Sequence, residues 1–273
     1  MFKYRRILLP ISLAALLALN ASCTTMPLTG RSQLTLMPQS TMLSMSTRQY
    51  QEFLNQTDVV TGTEEAQMVQ RVGERLQRAA EYYMRSEGME KQLQNYEWSF
   101  NLVKNDALNA WAMPGGKVVV YSGLLDVAQD DAGLAVVLGH EIAHALARHG
   151  NERMSQALLV QLGGITLSKA INQKPEETQR LWMAAFGLGA QYGLLYPYSR
   201  THETEADEMG LMIMSLAGYA PHKAVDFWTR MMDKKDQPAP PEFLSTHPAD
   251  RNRIENIRRT IPKVMPYQGM ANQ

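Results

Sequence analysis

The sequence predicts a mainly helical α+β fold, with a small antiparallel hairpin packed beside one buried helix. Three observations predict it. Apolar residues recur at helical spacing through several long stretches, such as Met68, Val72 and Leu76. Two short β-rich runs flank Pro114-Gly115-Gly116, a strong turn signal. The stretch Leu134 to Leu146 is apolar round nearly its whole circumference, the pattern of a helix buried on all sides. The 273 residues carry a formal net charge of zero and are 45% hydrophobic, which excludes a disordered chain. No long basic stripe is present, so nucleic acid is not an expected partner.

In chain order, Met1 to Arg6 is a basic start, Ile7 to Ala18 is apolar, and Asn20-Ala21-Ser22 precedes the only cysteine, Cys23. That is the three-part layout of a secretory signal, with an apolar core too short for a comfortable membrane span. The expected organisation is a signal peptide over 1–22, a lipidated N-terminus and tether over 23–46, one domain over 47–262 and a tail over 263–273. Helices are expected over 48–54 and from Glu64 to about Met84. Tyr96, Trp98, Phe100 and Leu102 alternate as in a strand with one buried face. Asn109-Ala110-Trp111-Ala112 and Lys117 to Tyr121 form the hairpin, one strand of it an edge on which a peptide could dock as an added strand. Asp130 and Asp131 start the next helix; Arg148, His149 and Gly150 end it. Helical patterns follow over 152–173 and from Glu176. The uncharged run 181–199 holds three glycines, a proline and three tyrosines, and reads as a buried helix or lid rather than a span.

The chemistry lies in His140-Glu141-Ile142-Ala143-His144. Residues four apart share a helix face, so His140 and His144 can grip one ion. Glu141 lies about 100° round the helix, in reach of a water at that ion. Two imidazoles and a carboxylate suit zinc, one ion per subunit, with Glu141 as base. A catalytic zinc takes a third protein ligand and keeps one position open. Downstream, Glu203, Asp207 and Gly210 fall on one face at i, i+4 and i+7, while Glu205 and Glu208 point elsewhere. Glu203 is then the third ligand. Asp207 would accept the remaining N–H of a ligating histidine, His140 first, and Gly210 would let the two helices pass closely. His149, His202 and His222 lack a face in common with the metal and are read as non-ligands.

His-Glu-x-x-His, followed roughly 60 residues later by Glu203-x-x-Ala206-Asp207-x-x-Gly210, resembles the gluzincin metallopeptidases of the HtpX and CAAX-prenyl-protease type. Within them the chain is most similar to the bacterial BepA- and LoiP-type lipoprotein members. Cys23 with Pro27-Leu28-Thr29-Gly30-Arg31, Asn109-Ala110-Trp111-Ala112, Ser199-Arg200, and Thr246-His247-Pro248 with Arg253-Ile254 carry the same likeness. The resemblance implies a zincin-like core. It also implies a lipid on Cys23, and a substrate backbone held at Asn109 and Ala110. It gives His247 and Arg253 the task of stabilising the tetrahedral oxyanion, and gives His247 a second, alternative role as a zinc ligand holding the enzyme latent. The proline-containing polar stretch after Arg259 resembles LoiP-type members, so the C-terminal helical-repeat domain of BepA-type members is not expected.

The expected activity is that of a zinc endopeptidase cutting unfolded or misfolded envelope proteins. The expected location is the bacterial cell envelope, lipid-anchored to the outer membrane and facing the periplasm. The alternatives are a largely latent metal-binding chaperone or assembly factor for outer-membrane proteins, and a structural lipoprotein with a zinc-stabilised core.

Overall fold

The computed structural model describes residues 23–25, 29–161, 173–186, 198–234, 242–248 and 251–272. The expected signal peptide, and most of the lid expected over 181–199, lie outside these residues. In chain order the elements are β1 (Cys23–Thr25), β2 (Ser32–Leu34), α1 (Gln39–Asn55), β3 (Val59–Val60), α2 (Glu64–Ser86), β4 (Ser99–Val103), β5 (Ala110–Met113), β6 (Lys117–Tyr121) and α3 (Leu125–Ala128). Then follow α4 (Asp131–Leu146), α5 (His149–Gln161), α6 (Pro175–Ala185), α7 (Arg200–Leu216), α8 (Lys223–Asp233), α9 (Glu242–Thr246) and α10 (Arg251–Val264). Among the described residues no helix is long and apolar enough to cross a membrane.

The sheet runs β3-β4-β6-β5, and β5 is an edge, as the hairpin pattern predicts. β5 and β6 pair antiparallel about Pro114-Gly115-Gly116, while β4 and β6 pair in parallel. Period-two alternation sends side chains to two cores. Phe100, Leu102, Ala110, Ala112, Val118 and Val120 pack toward α2 and α4. Val103, Trp111, Met113, Val119 and Tyr121 pack on the other face, with Tyr50 and Phe53 of α1 and Trp182 of α6. The sheet is thus covered on both faces, not one.

α4 is buried from Gly133 to Leu146. Asp130 caps it, its side chain accepting from the Gly133 N–H at 2.7 Å. α4 crosses α7 where two glycines meet. A Cβ on Gly210 would lie 2.9 Å from the His140 backbone nitrogen, and one on Gly139 would lie 3.0 Å from the Gly210 oxygen. That close approach brings the two ligand-bearing helices within reach of one ion.

Three boundaries differ from expectation. The stretch read as a tether is helical from Gln39 and buries Met37, Met42 and Met45, because its methionines fill the second core. Gly150 does not end α4. The chain turns at Arg148, whose φ is 59°, and Gly150 sits inside α5 against the Phe186 ring, which leaves no room for a Cβ. The tail beyond 262 is also packed: Val264 is buried, and the Gly269 N–H donates to the Ser215 oxygen at 2.8 Å.

Candidate active site

Four donor atoms converge where α4, α7 and the turn after α9 meet. His144 Nε2 lies 3.0 Å from His140 Nε2 and 3.3 Å from Glu203 Oε1. His247 Nδ1 lies 3.2 Å from His140 Nε2 and 3.1 Å from Glu203 Oε1. All four residues are buried, and among the described residues they form the one group placed to hold a metal ion. A tetrahedral ion with bonds near 2.05 Å holds its ligand atoms about 3.4 Å apart. The observed separations fit that shape, and the nitrogen and oxygen donors fit a borderline divalent metal. The structure therefore brings together His140, His144 and Glu203 and adds His247 as a fourth donor.

Glu141 points to the strand side. Its carboxylate lies beside the Ala112 backbone N–H, and Oε1 lies 3.3 Å from His247 Nε2. Burial pushes the Glu141 carboxyl upward, against the pull of His247 and His140. The Tyr121 N–H donates to the Asn109 oxygen, so by antiparallel alternation Ala110 and Ala112 turn their backbone groups away from β6. Asn109 is buried, and its Nδ2 has no hydrogen-bond partner among the described residues. The Trp111 side chain does not face the site. It packs edge-on against Phe53, with ring centroids 5.0 Å apart, and by the same alternation its backbone groups face Val119 of β6, so Trp111 offers a docked chain neither side chain nor backbone.

Behind the donor cluster, Asp207 Oδ1 lies 3.0 Å from His140 Nδ1. Arg253 lies on this side too, with Nη2 3.2 Å from His140 Nδ1. Its guanidinium donates to Asp207 at 2.7 and 2.8 Å and to Glu203 at 2.7 Å, and stacks on Trp228 at 3.4 Å. These contacts set Arg253 against two of the four donor residues, Glu203 and His140. Burial works to raise the Glu203 and Asp207 carboxyls, but the facing cations and imidazoles outweigh it, and both are held below the usual range.

Sequence reasoning missed the partner of the other ligand. His149 Nδ1 lies 2.9 Å from His144 Nδ1, and His149 Nε2 lies 3.0 Å from Glu205 Oε2. The left-handed turn at Arg148 makes this possible. In an unbroken helix His149 would lie about 140° round from His144. Burial lowers the His149 pKa to about 4. The Glu205 carboxyl, which burial would raise, falls to about 2 under bonds from His149, Arg31 and Thr29. A Glu-x-Glu pair on α7 was a visible signal, but its second member reads from sequence as a solvated carboxylate. Cys23 opens β1, paired opposite Leu34 of β2.

A buried His-Glu-x-x-His helix, a carboxylate donor from a second helix and an edge strand beside the glutamate define a metallopeptidase. Residues 65–261 match the model of peptidase family M48, and the chain belongs to that family. It is 38% identical over 183 residues to the mitochondrial metalloendopeptidase OMA1 of Saccharomyces cerevisiae, covering 63% of this chain and 49% of that protein. It is 31% identical over 253 residues to the human mitochondrial metalloendopeptidase OMA1, covering 90% of this chain and 47% of that one. It is 30% identical over 175 residues to the beta-barrel assembly-enhancing protease of Escherichia coli, covering 61% and 35%. The chain thus spans about half the length, or less, of these relatives. The comparison corrects the expected location. Relatives from two yeasts, human and Arabidopsis thaliana are named as mitochondrial, and the bacterial outer-membrane assignment is withdrawn.

Proposed function

We propose that the chain is a zinc-dependent endopeptidase acting on extended, unfolded protein segments. The observation that carries this reading is the four-donor cluster, with Glu141 set between it and an edge strand. Zinc bound there would polarise the scissile carbonyl and acidify the attacking water. A substrate segment lies along Ala110 and Ala112 as an added strand. Glu141 takes the water's proton and returns it to the leaving amine. A zinc ion held there would have His247 as a fourth donor, in a position that a catalytic zinc keeps open, so turnover would require His247 to move aside. In that swung position its imidazole can donate to the developing oxyanion. Arg253 and Asp207 keep Glu203 and His140 aimed throughout.

The test uses the full chain with unfolded casein, with and without a zinc chelator, beside metal analysis. Wild type should cut only when zinc is present. Glu141→Gln should keep zinc and lose cleavage by at least ~100-fold. Cleavage surviving that change removes the proposed base.

One observation favours a second reading, a largely latent chaperone or assembly factor. His247 would supply a fourth donor to a bound ion, and all four residues of β5 are buried. Tight binding of unfolded protein by Glu141→Gln, with cleavage by wild type barely detectable, would select it. Membrane attachment through a lipid on Cys23 is a separate proposal, checked by the intact mass of the mature chain.

A further inference from the structure

The N-terminal strands are tied to the metal centre from behind. Thr29 Oγ1 donates to Glu205 Oε1 at 2.6 Å. Arg31 Nε donates to both Glu205 oxygens at 3.0 Å, and Nη1 to Glu152 Oε1 at 3.0 Å. Arg31 Nη2 lies 2.9 Å from an oxygen of each carboxylate. Two residues on, buried Gln33 donates to the Ala147 oxygen at 2.7 Å, at the end of α4. Glu152 also meets His202 Nε2 at 3.0 Å, and the His202 and His149 rings stack at 4.4 Å.

The donor directions along this chain of contacts are forced. If His144 Nε2 binds the ion, its Nδ1 carries the hydrogen and must donate. His149 Nδ1, at 2.9 Å, must then accept, so the His149 hydrogen sits on Nε2 and donates to Glu205. Glu205 accepts there while Arg31 and Thr29 donate to it. Were His149 in its other tautomer, two N–H groups would face each other across 2.9 Å in a site where neither ring is more than 2% exposed.

We propose that Arg31 is a positioning residue for the metal centre: through Glu205 and His149 it fixes the tautomer and ring direction of His144. Resting on the zinc reading above, this makes docking of the N-terminal strand a condition for tight metal binding. Arg31 and Thr29 both lie outside residues 65–261, so the family's matched region does not contain the far end of this relay.

The experiment compares full-length wild type with Arg31→Ala, Glu205→Gln and, as a control arginine on the surface, Arg71→Ala. Zinc affinity is measured by competition with a chromophoric chelator. The cobalt-substituted proteins give ligand-field spectra, and the metal-free proteins give melting curves. Loss of such outer support weakens metal binding by about 10- to 100-fold. Arg31→Ala should fall at the lower end of that range and shift the cobalt bands. Millimolar ethylguanidinium should restore both. Arg71→Ala should do neither. Glu205→Gln keeps side-chain volume and carries the test if Arg31→Ala does not fold; it should show the same loss and band shift. Wild-type affinity and spectrum in the variants, or a lowered melting temperature with an unmoved spectrum, would overturn the relay. Wild type taking up neither zinc nor cobalt would overturn the metal reading and the relay with it.

Discussion

His140 and His144 stand one turn apart on α4, yet opposite ends of the chain hold them. His140 leans on Asp207 of α7, which Arg253 of α10 clamps. His144 leans on His149, then Glu205, then Arg31 of the N-terminal segment. The first support has one link between ligand and arginine; the second has two. The first arginine is buried and stacked on Trp228, while the second is 22% exposed. The first support is short and buried; the second is longer and ends in a partly exposed arginine.

This contrast can be broken or sharpened by substitution. The largest effect is expected from Asp207→Ala, which strips the acceptor from His140 and unbalances the buried charge of Arg253. Stability should fall by about 3–5 kcal/mol in denaturant melts, with zinc affinity down about 100-fold. Next comes Gly210→Ala. Its methyl would press on the His140 backbone, pushing α4 from α7 and weakening both supports together. A loss of about 1–3 kcal/mol is expected, with weaker zinc binding by chelator competition. Combining Asp207→Asn with Glu205→Gln asks whether the supports are independent. They share no partner, so their effects on zinc affinity should multiply. A double variant no worse than the weaker single would show that both act through one element. The smallest effect is expected from Asp130→Ala, about 1 kcal/mol with zinc affinity unchanged, since the cap holds the start of α4 and touches neither support. The bond from the Gly133 N–H holds the Asp130 carboxyl below its usual range. Its contribution is therefore present above the ordinary aspartate range and lost as pH falls through the depressed folded value. Melting curves from pH 6 to pH 2 should show Asp130→Ala losing less than wild type.

The Asp207 contact of the first support was legible in the sequence; its Arg253 clamp and the second support were not. Asp207 sits four residues from Glu203 within one helix, so periodicity alone put them on one face. The glycine that lets α7 approach α4 was legible for the same reason. The hairpin and its edge followed from alternation around a Pro-Gly-Gly turn. The second support depends on a break in periodicity. Arg148 adopts a left-handed backbone that its residue type does not advertise, and that turn swings His149 behind His144. His149 was excluded as a ligand because it shared no face with the metal; the same reasoning hid its contact with the ligand. Arg31 could not be placed, since nothing local ties it to Glu205, 174 positions away. The tether was misjudged because methionines scattered among Ser and Thr gave no helical period strong enough to reveal that they fill a core.

The Glu141 carboxylate lies beside the outward-facing Ala112 N–H. On the proposed reading, the base at rest stands where an incoming main chain would set its own carbonyl. A visitor would have to displace that reagent before using it. A dipeptide, offering few backbone bonds in exchange, would gain little. A longer segment lying against the whole strand would recover what it displaced, so the threshold for entry would be the length of unfolded chain presented, whatever its side chains.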